Sequence, residues 1–403
     1  MIPKNWYQTS LKNVSNLYIG TGINEKIRKQ KYFGNNDGFV YITTKDINFN
    51  GEINYNDNFR IPKSAGYKFA PSNTALLCVE GASAGRKIAF INQPVFFTNK
   101  FCAFVAKNIN SKYIYYFLQT PNFIEKFNSK KHGVIGGVSM KDLKLINIPV
   151  PPIDEQQRIV DIIDRLFEKL NKTYELAQNI VTSYEIRYYA ILHKALTGEL
   201  TDSNFKKWKS ITLEKILLPM QRRKPHGEYF KYIDIESIDN KRQKIREAKI
   251  VKTEAASGRA NRGVDKDNVL FSLVRPYLRN IAIVEEEYED SIVSTGFYVC
   301  RCKKDILPKY LYNVLRSQYA INYYQQFIKG FNAPSIRIKD FLSLKIKLPP
   351  LREQEKITAL LDDLIEKEYQ AKEIAEQILP KIELIKKSVL NKAFRGELKT
   401  FNI

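Results

Sequence analysis

The sequence predicts an α+β protein made twice over. It has two mixed α/β, β-rich lobes and two long helices whose apolar stripes cover one another in the manner of a coiled coil. Three observations predict this. The phrase "PPIDEQQRIVDIIDRL", starting at Pro151, returns as "PPLREQEKITALLDDL", starting at Pro349, and "KALTGEL" (194–200) returns as "KAFRGEL" (392–398) at the same offset of 198 residues. A repeat of that length is far too long for a solenoid unit and marks a duplicated half-molecule. After each phrase the apolar residues recur at helical spacing, whereas before each phrase they form short β-branched and aromatic runs. The excess positive charge, finally, is confined to the β-rich stretches.

Residues 1–150 make the first lobe. "GFVYITTKDI", "TALLCVEG", "RKIAFI" and "FCAFVAK" read as strands, "SKYIYYFLQT" as a helix and "SKKHGVIGGVSMKDL" as a polar loop before a closing strand. Residues 151–200 make the first helical segment. Pro151 and Pro152 suit a helix start, where a missing N–H costs nothing, and Glu155 in the first turn complements the helix dipole. Ile159, Ile163, Leu166, Leu170, Ala177, Ile180, Tyr184 and Ile191 form its stripe, and Gly198 fits a C-terminal cap. From Ile153 to Leu196 such a helix would be roughly 66 Å long, at about 1.5 Å per residue.

Residues 201–348 repeat the lobe plan with "YFKYIDIESI", "NVLFSLV", "NIAIVE" and "STGFYVCRCK", followed by "PKYLYNVLRSQ" and the loop "IKGFNAPSIRIKDF". Trp6 and Trp208 open the two lobes alike, although the lobes share little identity beyond plan. Residues 349–403 make the second helical segment, opened by Pro349, Pro350, Glu353 and Gln354 and capped by Gly396. Its stripe runs through Ile357, Leu361, Leu364, Ala371, Ala375, Ile378, Ile382, Ile385 and Val389. Thr173, Arg187 and Glu368 break the seam, and Pro380 predicts a kink.

The formal net charge of the 403-residue chain is +22. The lobes hold 20 Lys/Arg against 8 Asp/Glu and 29 against 17, whereas the helical segments hold 6 against 8 and 10 against 10. Two equally basic globular blocks point to two surfaces that meet a polyanion, DNA or RNA, though a lysine-rich solvated surface has the same composition. No signal peptide or membrane-length apolar run is present, and Cys78, Cys102, Cys300 and Cys302 lack metal-site spacing, so a reduced, cytoplasmic setting is expected.

Catalytic patterns are sparse. "EGASAGRK" (80–87) lacks the ending of a phosphate loop and precedes a strand, so it reads as a tight turn whose Arg86 and Lys87 can still touch a phosphate. The prolines are not those of an amino-methyltransferase loop, because no Asn or Asp precedes them and no aromatic follows. Asp234 with Glu247 and Lys249 gives a weak nuclease-like pattern; His132, His193 and His226 are scattered. Expected DNA contacts combine cations with glycines that allow close backbone approach. They are Lys26, Arg28, Lys29, Arg86, Lys87, Lys130, Lys131 and Lys141 in the first lobe, near Gly136 and Gly137. In the second they are Arg222, Arg223, Lys224, Arg259, Arg262, Arg275, Arg279, Lys329, Arg337 and Lys339, near Gly330.

With its twin "PP-x-x-EQ" openings, heptad helices and "GEL" endings, the chain resembles, over its whole length, the specificity subunit of type I restriction–modification systems. The resemblance implies a non-catalytic subunit in which two target-recognition domains are separated by antiparallel helices and related by a pseudo-twofold axis. Each domain would read half of a split, asymmetric duplex target, and the helices would set the gap. Pro152, Glu155, Gln156, Gly198, Pro350, Glu353, Gln354 and Gly396 would belong to the helical spacer and its partner surface. The implied partners are two modification subunits, which methylate adenine with S-adenosylmethionine, and restriction subunits driven by ATP and Mg²⁺. A stand-alone bivalent nucleic-acid scaffold and an unrecognised nuclease are the competing readings.

Overall fold

A computed structural model describes residues 3–398 apart from 33, 36, 57–59, 134–135 and 202. The chain divides into two compact units, one comprising residues 1–178 with 376–403 and the other residues 179–375. Each unit therefore takes one lobe, part of the first helical segment and part of the second.

The first unit's lobe holds two four-stranded sheets. One is antiparallel, in the order Ser15–Ile19, Phe101–Ala106, Thr74–Cys78, Ile88–Ile91. The other runs Arg60–Ile61, Phe39–Ile42, Val95–Phe97, Phe69–Ala70, with its two middle strands parallel. Thr74–Cys78 is buried along its whole length, as a strand covered on both faces must be. Period-two alternation sends Ala75 and Leu77 into the core shared with the helices, and Leu76 and Cys78 into the core between the sheets. A short ribbon, Tyr7–Ser10 against Asn147–Val150, joins the lobe's beginning to its end and leads straight into Pro151.

The second unit repeats this topology. Its sheets run Leu217–Leu218, Phe297–Cys302, Val269–Ser272, Ile281–Ile283 and Lys249–Lys252, Tyr229–Ile233, Ile292–Ser294, Ala260–Gly263. The parallel pair is again in the middle of the second sheet, and the ribbon is Lys209–Thr212 against Lys345–Leu348. The shared plan inferred from sequence is thus a shared strand order.

The helical segments differ from expectation in one respect. The first is two helices, Ile153–Thr182 and Tyr184–Leu196, divided at Ser183, whereas the second runs unbroken as Leu351–Ala393 through Pro380. The interruption falls at the serine and not at the proline. Arg187 stabilises the break by donating to the Ser183 hydroxyl and, at 3.1 Å, to the Ile180 carbonyl that the division leaves over. In the first unit Ile159, Val160 and Ile163 share a core with Leu390, Ala393 and Phe394. In the second, Tyr188, Leu192 and Ala195 share one with Ile357 and Leu361. The start of one segment meets the end of the other in each case, so the pairing is antiparallel. Ile385 of the expected stripe is 46% exposed and lies off the seam. Arg187 and Glu368, which break the pattern in sequence, break it together: they form an ion pair of 2.7 Å.

The repeated "PP-x-x-EQ" phrase has a local explanation. Gln156 and Gln354 are buried. The Gln156 side-chain oxygen accepts from the Asn110 N–H at 2.8 Å and its amide donates to the Pro151 carbonyl at 2.8 Å. Gln354 accepts from the Leu307 N–H at 2.8 Å and donates to the Pro349 and Asp305 carbonyls, both at 2.9 Å. Glu155 accepts from Asn5, and Glu353 from the Thr201 hydroxyl. Tyr113 and Tyr310 donate to the Pro149 and Lys347 carbonyls, and Lys112 and Lys309 pair with Asp164 and Asp362. The two cap glycines adopt φ of 77° and 72°. A Cβ on Gly198 would stand 2.5 Å from the Ser203 carbonyl oxygen, and one on Gly396 2.3 Å from Pro3, each beside its unit's tryptophan.

Replacing Gln354 by leucine strands one N–H and two carbonyls, each costing about 1–3 kcal/mol where buried. Two of the three groups are only partly buried, so the low end of about 1 kcal/mol each applies. Gln354→Leu is therefore expected to lower the melting temperature of its unit by about 6–12 °C, at about 2–4 °C per kcal/mol for a unit of this size. Gln370→Leu, on the exposed side of the same helix, should leave it unchanged.

Candidate nucleic-acid interface

In each lobe the strand at the heart of the first sheet ends in a turn that clasps a second loop. In the first lobe the turn is Glu80–Lys87, closed by Ala84 N–H to Gly81 at 2.9 Å and Arg86 N–H to Ser83 at 3.0 Å. This is the tight turn expected from "EGASAGRK". Its Gly81 N–H donates to Gly136 at 2.9 Å, and Val138 N–H returns to Val79 at 3.0 Å. The second loop closes on itself through paired bonds between His132 and Gly137. In the second lobe the same clasp joins Arg275 N–H to the Pro334 carbonyl at 2.7 Å and Ile336 N–H to Leu273 at 3.0 Å, with paired bonds between Lys329 and Ser335. Two stretches with little sequence identity thus make one backbone device.

The clasps gather many of the expected cations. Arg86 lies over the Phe49 ring at 4.6 Å, and Lys87 both faces that ring and donates to the Thr44 carbonyl at 2.6 Å. Lys130 and His132 approach Asp142, whose carboxyl is held below the usual range by a hydrogen bond from Ser139 and by the nearby Lys130 charge. Lys131 lies over Phe127, and Lys141 is exposed on the short helix Met140–Lys144. In the second lobe Lys329, Lys339 and Arg275 are exposed, while Arg337 is paired with Asp340 at 2.8 and 3.1 Å and holds that carboxyl low. Arg275 and Arg279 flank Pro276–Leu278 with φ of 47° and 57°. Such a left-handed conformation costs a non-glycine residue about 1–2 kcal/mol. Arg279 turns inward, 4.2 Å over Tyr189 and 2.8 Å from Gln318.

The remaining cations belong to the second sheets. Lys26 and Lys29 are exposed on the helix Glu25–Tyr32, with Lys29 paired to Glu25, and Arg28 lies 4.9 Å over Tyr41. Arg222 pairs in β fashion with Arg262 on the strand Ala260–Gly263, and Arg259 and Lys224 are exposed close by in sequence. Burial lowers the Arg262 pKa, and the Arg222 charge adds to that effect. Arg223 is different: it binds Asp265 at 2.8 Å and Asp290 at 2.9 Å. Asp234 and Lys249 of the nuclease-like pattern do meet, at 2.5 Å, but Asp234 also caps the turn Ile235–Ser237 and Lys249 also pairs with Glu236.

Sequence reasoning missed the aromatics at these loops: Phe49 is 59% exposed and Phe331 98%. An aromatic set among glycine and asparagine, as in "NFNG" and "GFNA", was the available signal. It also missed two lysine-lined recesses, one along the strand Ser15–Ile19 with Lys12, Lys107 and Lys144 and one at the second ribbon with Lys209, Lys215 and Lys345. Among the described residues no helix is long and apolar enough to cross a membrane.

The family described as "Type I restriction modification DNA specificity domain" matches residues 3–180 and 219–380. The chain is similar to the specificity subunit of the type I restriction enzyme EcoKI from Escherichia coli (strain K12), with 24% identity over 424 residues, covering 98% of this chain and 90% of that protein. It is similar also to the MjaVIII specificity subunit from Methanocaldococcus jannaschii, with 26% identity over 361 residues and coverages of 82% and 80%. In fold it matches the solved HsdS subunit from Thermoanaerobacter tengcongensis with a TM-score of 0.62 at 19% identity, over 98% of both chains. A chain solved in work on complex assembly and conformational transition of the type I R-M system matches with a TM-score of 0.65 at 18% identity, over 99% of this chain and 100% of that one.

The geometry separates cations bound to carboxylates within the lobe, such as Arg223, from cations that are exposed, such as Arg222 and Lys224. Arg223→Ala should destabilise the second unit by about 1–2 kcal/mol, after discounting for solvent around its partners. Arg222→Ala and Lys224→Ala should change its thermal unfolding by less than about 0.5 kcal/mol.

Proposed function

Because the chain belongs to the family of type I restriction–modification DNA specificity domains, we propose that it selects the DNA site for an adenine-methylating complex, reading a split target with two different lobes. The observation that carries this reading is the pairing of one strand order with two sets of loop side chains. Identical scaffolds meet a duplex in equivalent poses, while different loops select different bases. The full target is therefore asymmetric, with half-site centres about one helical turn, roughly 34 Å, apart.

The lobes, residues 1–150 and 201–348, supply affinity by neutralising phosphates and specificity by loop contacts to base edges. Segments 151–200 and 349–403 set the separation and carry the docking surface for two modification subunits, to which restriction subunits add in the complete enzyme. Methyl transfer from S-adenosylmethionine, and ATP- and Mg²⁺-dependent translocation and cutting, belong to those partners. The adenine is flipped from the stack for methylation, a step in which this chain positions the duplex.

Seven residues inserted at matched positions in both helical segments add about 10 Å of helix. The methylated motif mapped in a genome carrying this variant should keep both half-sites and show a longer gap, by at most about three base pairs. An unchanged gap would refute the spacer role. A full chain that never co-purifies with a methyltransferase subunit, yet binds DNA, would instead mark a stand-alone scaffold.

A further inference from the structure

Phe331 is the most exposed large apolar side chain among the described residues, at 98%. Single exposed apolar residues are ordinary on protein surfaces. What distinguishes this one is how firmly the loop beneath it is built. Lys329 and Ser335 exchange backbone bonds of 3.0 and 2.9 Å at its base, and Gly330 takes φ of 98°. On the other side Arg275 is held left-handed, donating its N–H to Pro334 at 2.7 Å and its guanidinium to the Asn332 carbonyl at 3.1 Å. A strained arginine thus clamps the residues on the C-terminal side of the phenylalanine. The segments 275–279 and 329–339 together hold five cations and no carboxylate. In sequence the first lobe's corresponding stretch is "HGVIGG", whose Val134 and Ile135 lie outside the described residues.

We propose that Phe331 is a specificity-determining residue of the second lobe, a displayed ring that packs against the bases of one half-site while Lys329 neutralises a flanking phosphate. The inference rests on the DNA-reading function above. An exposed aromatic side chain in a clasp that carries Lys329 and Arg275 matches a nucleic acid, which offers π-surfaces between phosphates, better than it matches an acidic or apolar protein face. Ring contacts of this kind add affinity without releasing counterions, so they differ from lysine contacts in their response to salt.

The test uses the full-length chain and a pool of random-sequence 40-base-pair duplexes. Wild type should select a two-part motif. Phe331→Ala should keep one part, relax the other, bind the wild-type duplex roughly tenfold more weakly and leave the slope of log affinity against log salt unchanged. Phe331→Trp should retain the motif, and Lys329→Ala should reduce the slope by about 0.9 with both parts intact. Phe331→Ala with unaltered affinity and motif would overturn the assignment alone. Loss confined to co-purification with a methyltransferase would overturn it in favour of a protein contact. A wild-type chain that selects no split motif would overturn the reading beneath it as well.

Discussion

An apolar stripe of four or five turns cannot remain in water, and in each unit it is covered by the opposite end of the other helical segment. That antiparallel seam is the constraint on which the rest depends. It closes the core of each unit, because the side chains that cover it are continuous with those under the first sheet: Phe394 reaches Tyr113 and Phe117, and Ile357 and Leu361 join the cluster around Phe271. Without the seam each lobe would expose the face of its helices that now lies under the segment's start. Burial of such residues stabilises by roughly 1.5–3 kcal/mol per large side chain, so a few positions outweigh any single surface ion pair.

The seam is not uniformly apolar, and its polar exception is informative. Arg187 and Glu368 sit where a heptad would place apolar residues. Their pairing at one-quarter to one-third exposure satisfies both charges and fixes which residues lie opposite. Polar seam positions commonly act on register and less on stability. The same arginine spans the division at Ser183, so one side chain handles both irregularities of its helix.

Much of this was legible in the sequence because its signals are periodic or repeated. The duplicated phrases gave two helical segments, and the β-rich runs gave lobes of one plan. The break at Ser183 was hidden, since serine is tolerated in a helix, whereas Pro380 drew attention yet sits within continuous helix. The repeated glutamines looked like surface features because glutamine is usually exposed; nothing local says that their amides are buried against carbonyls 5 residues back. For the candidate interface, counting cations pointed to loops that the fold draws into backbone clasps. It could not tell Arg223, Arg279 and Arg337, which are bound within the lobe, from Lys329 or Arg222. That distinction depends on which acids and rings the fold brings near.

The bonds from Gln156, Gln354, Tyr113 and Tyr310 end almost entirely on main-chain N–H and C=O groups of the lobe or of the strand leading to the prolines. Nearly every amino acid presents those groups, so this part of the joint follows the lobe's backbone path, while the Lys112–Asp164 and Lys309–Asp362 pairs and the packing of Phe394 on Tyr113 and Phe117 add side-chain contacts. A recombination event that exchanged one lobe at its proline junction for a differently sequenced one of equal trace would inherit those backbone bonds and would need to supply only the few side-chain partners anew. Drift in the clasped loops, which make none of these bonds, would likewise leave the joint untouched.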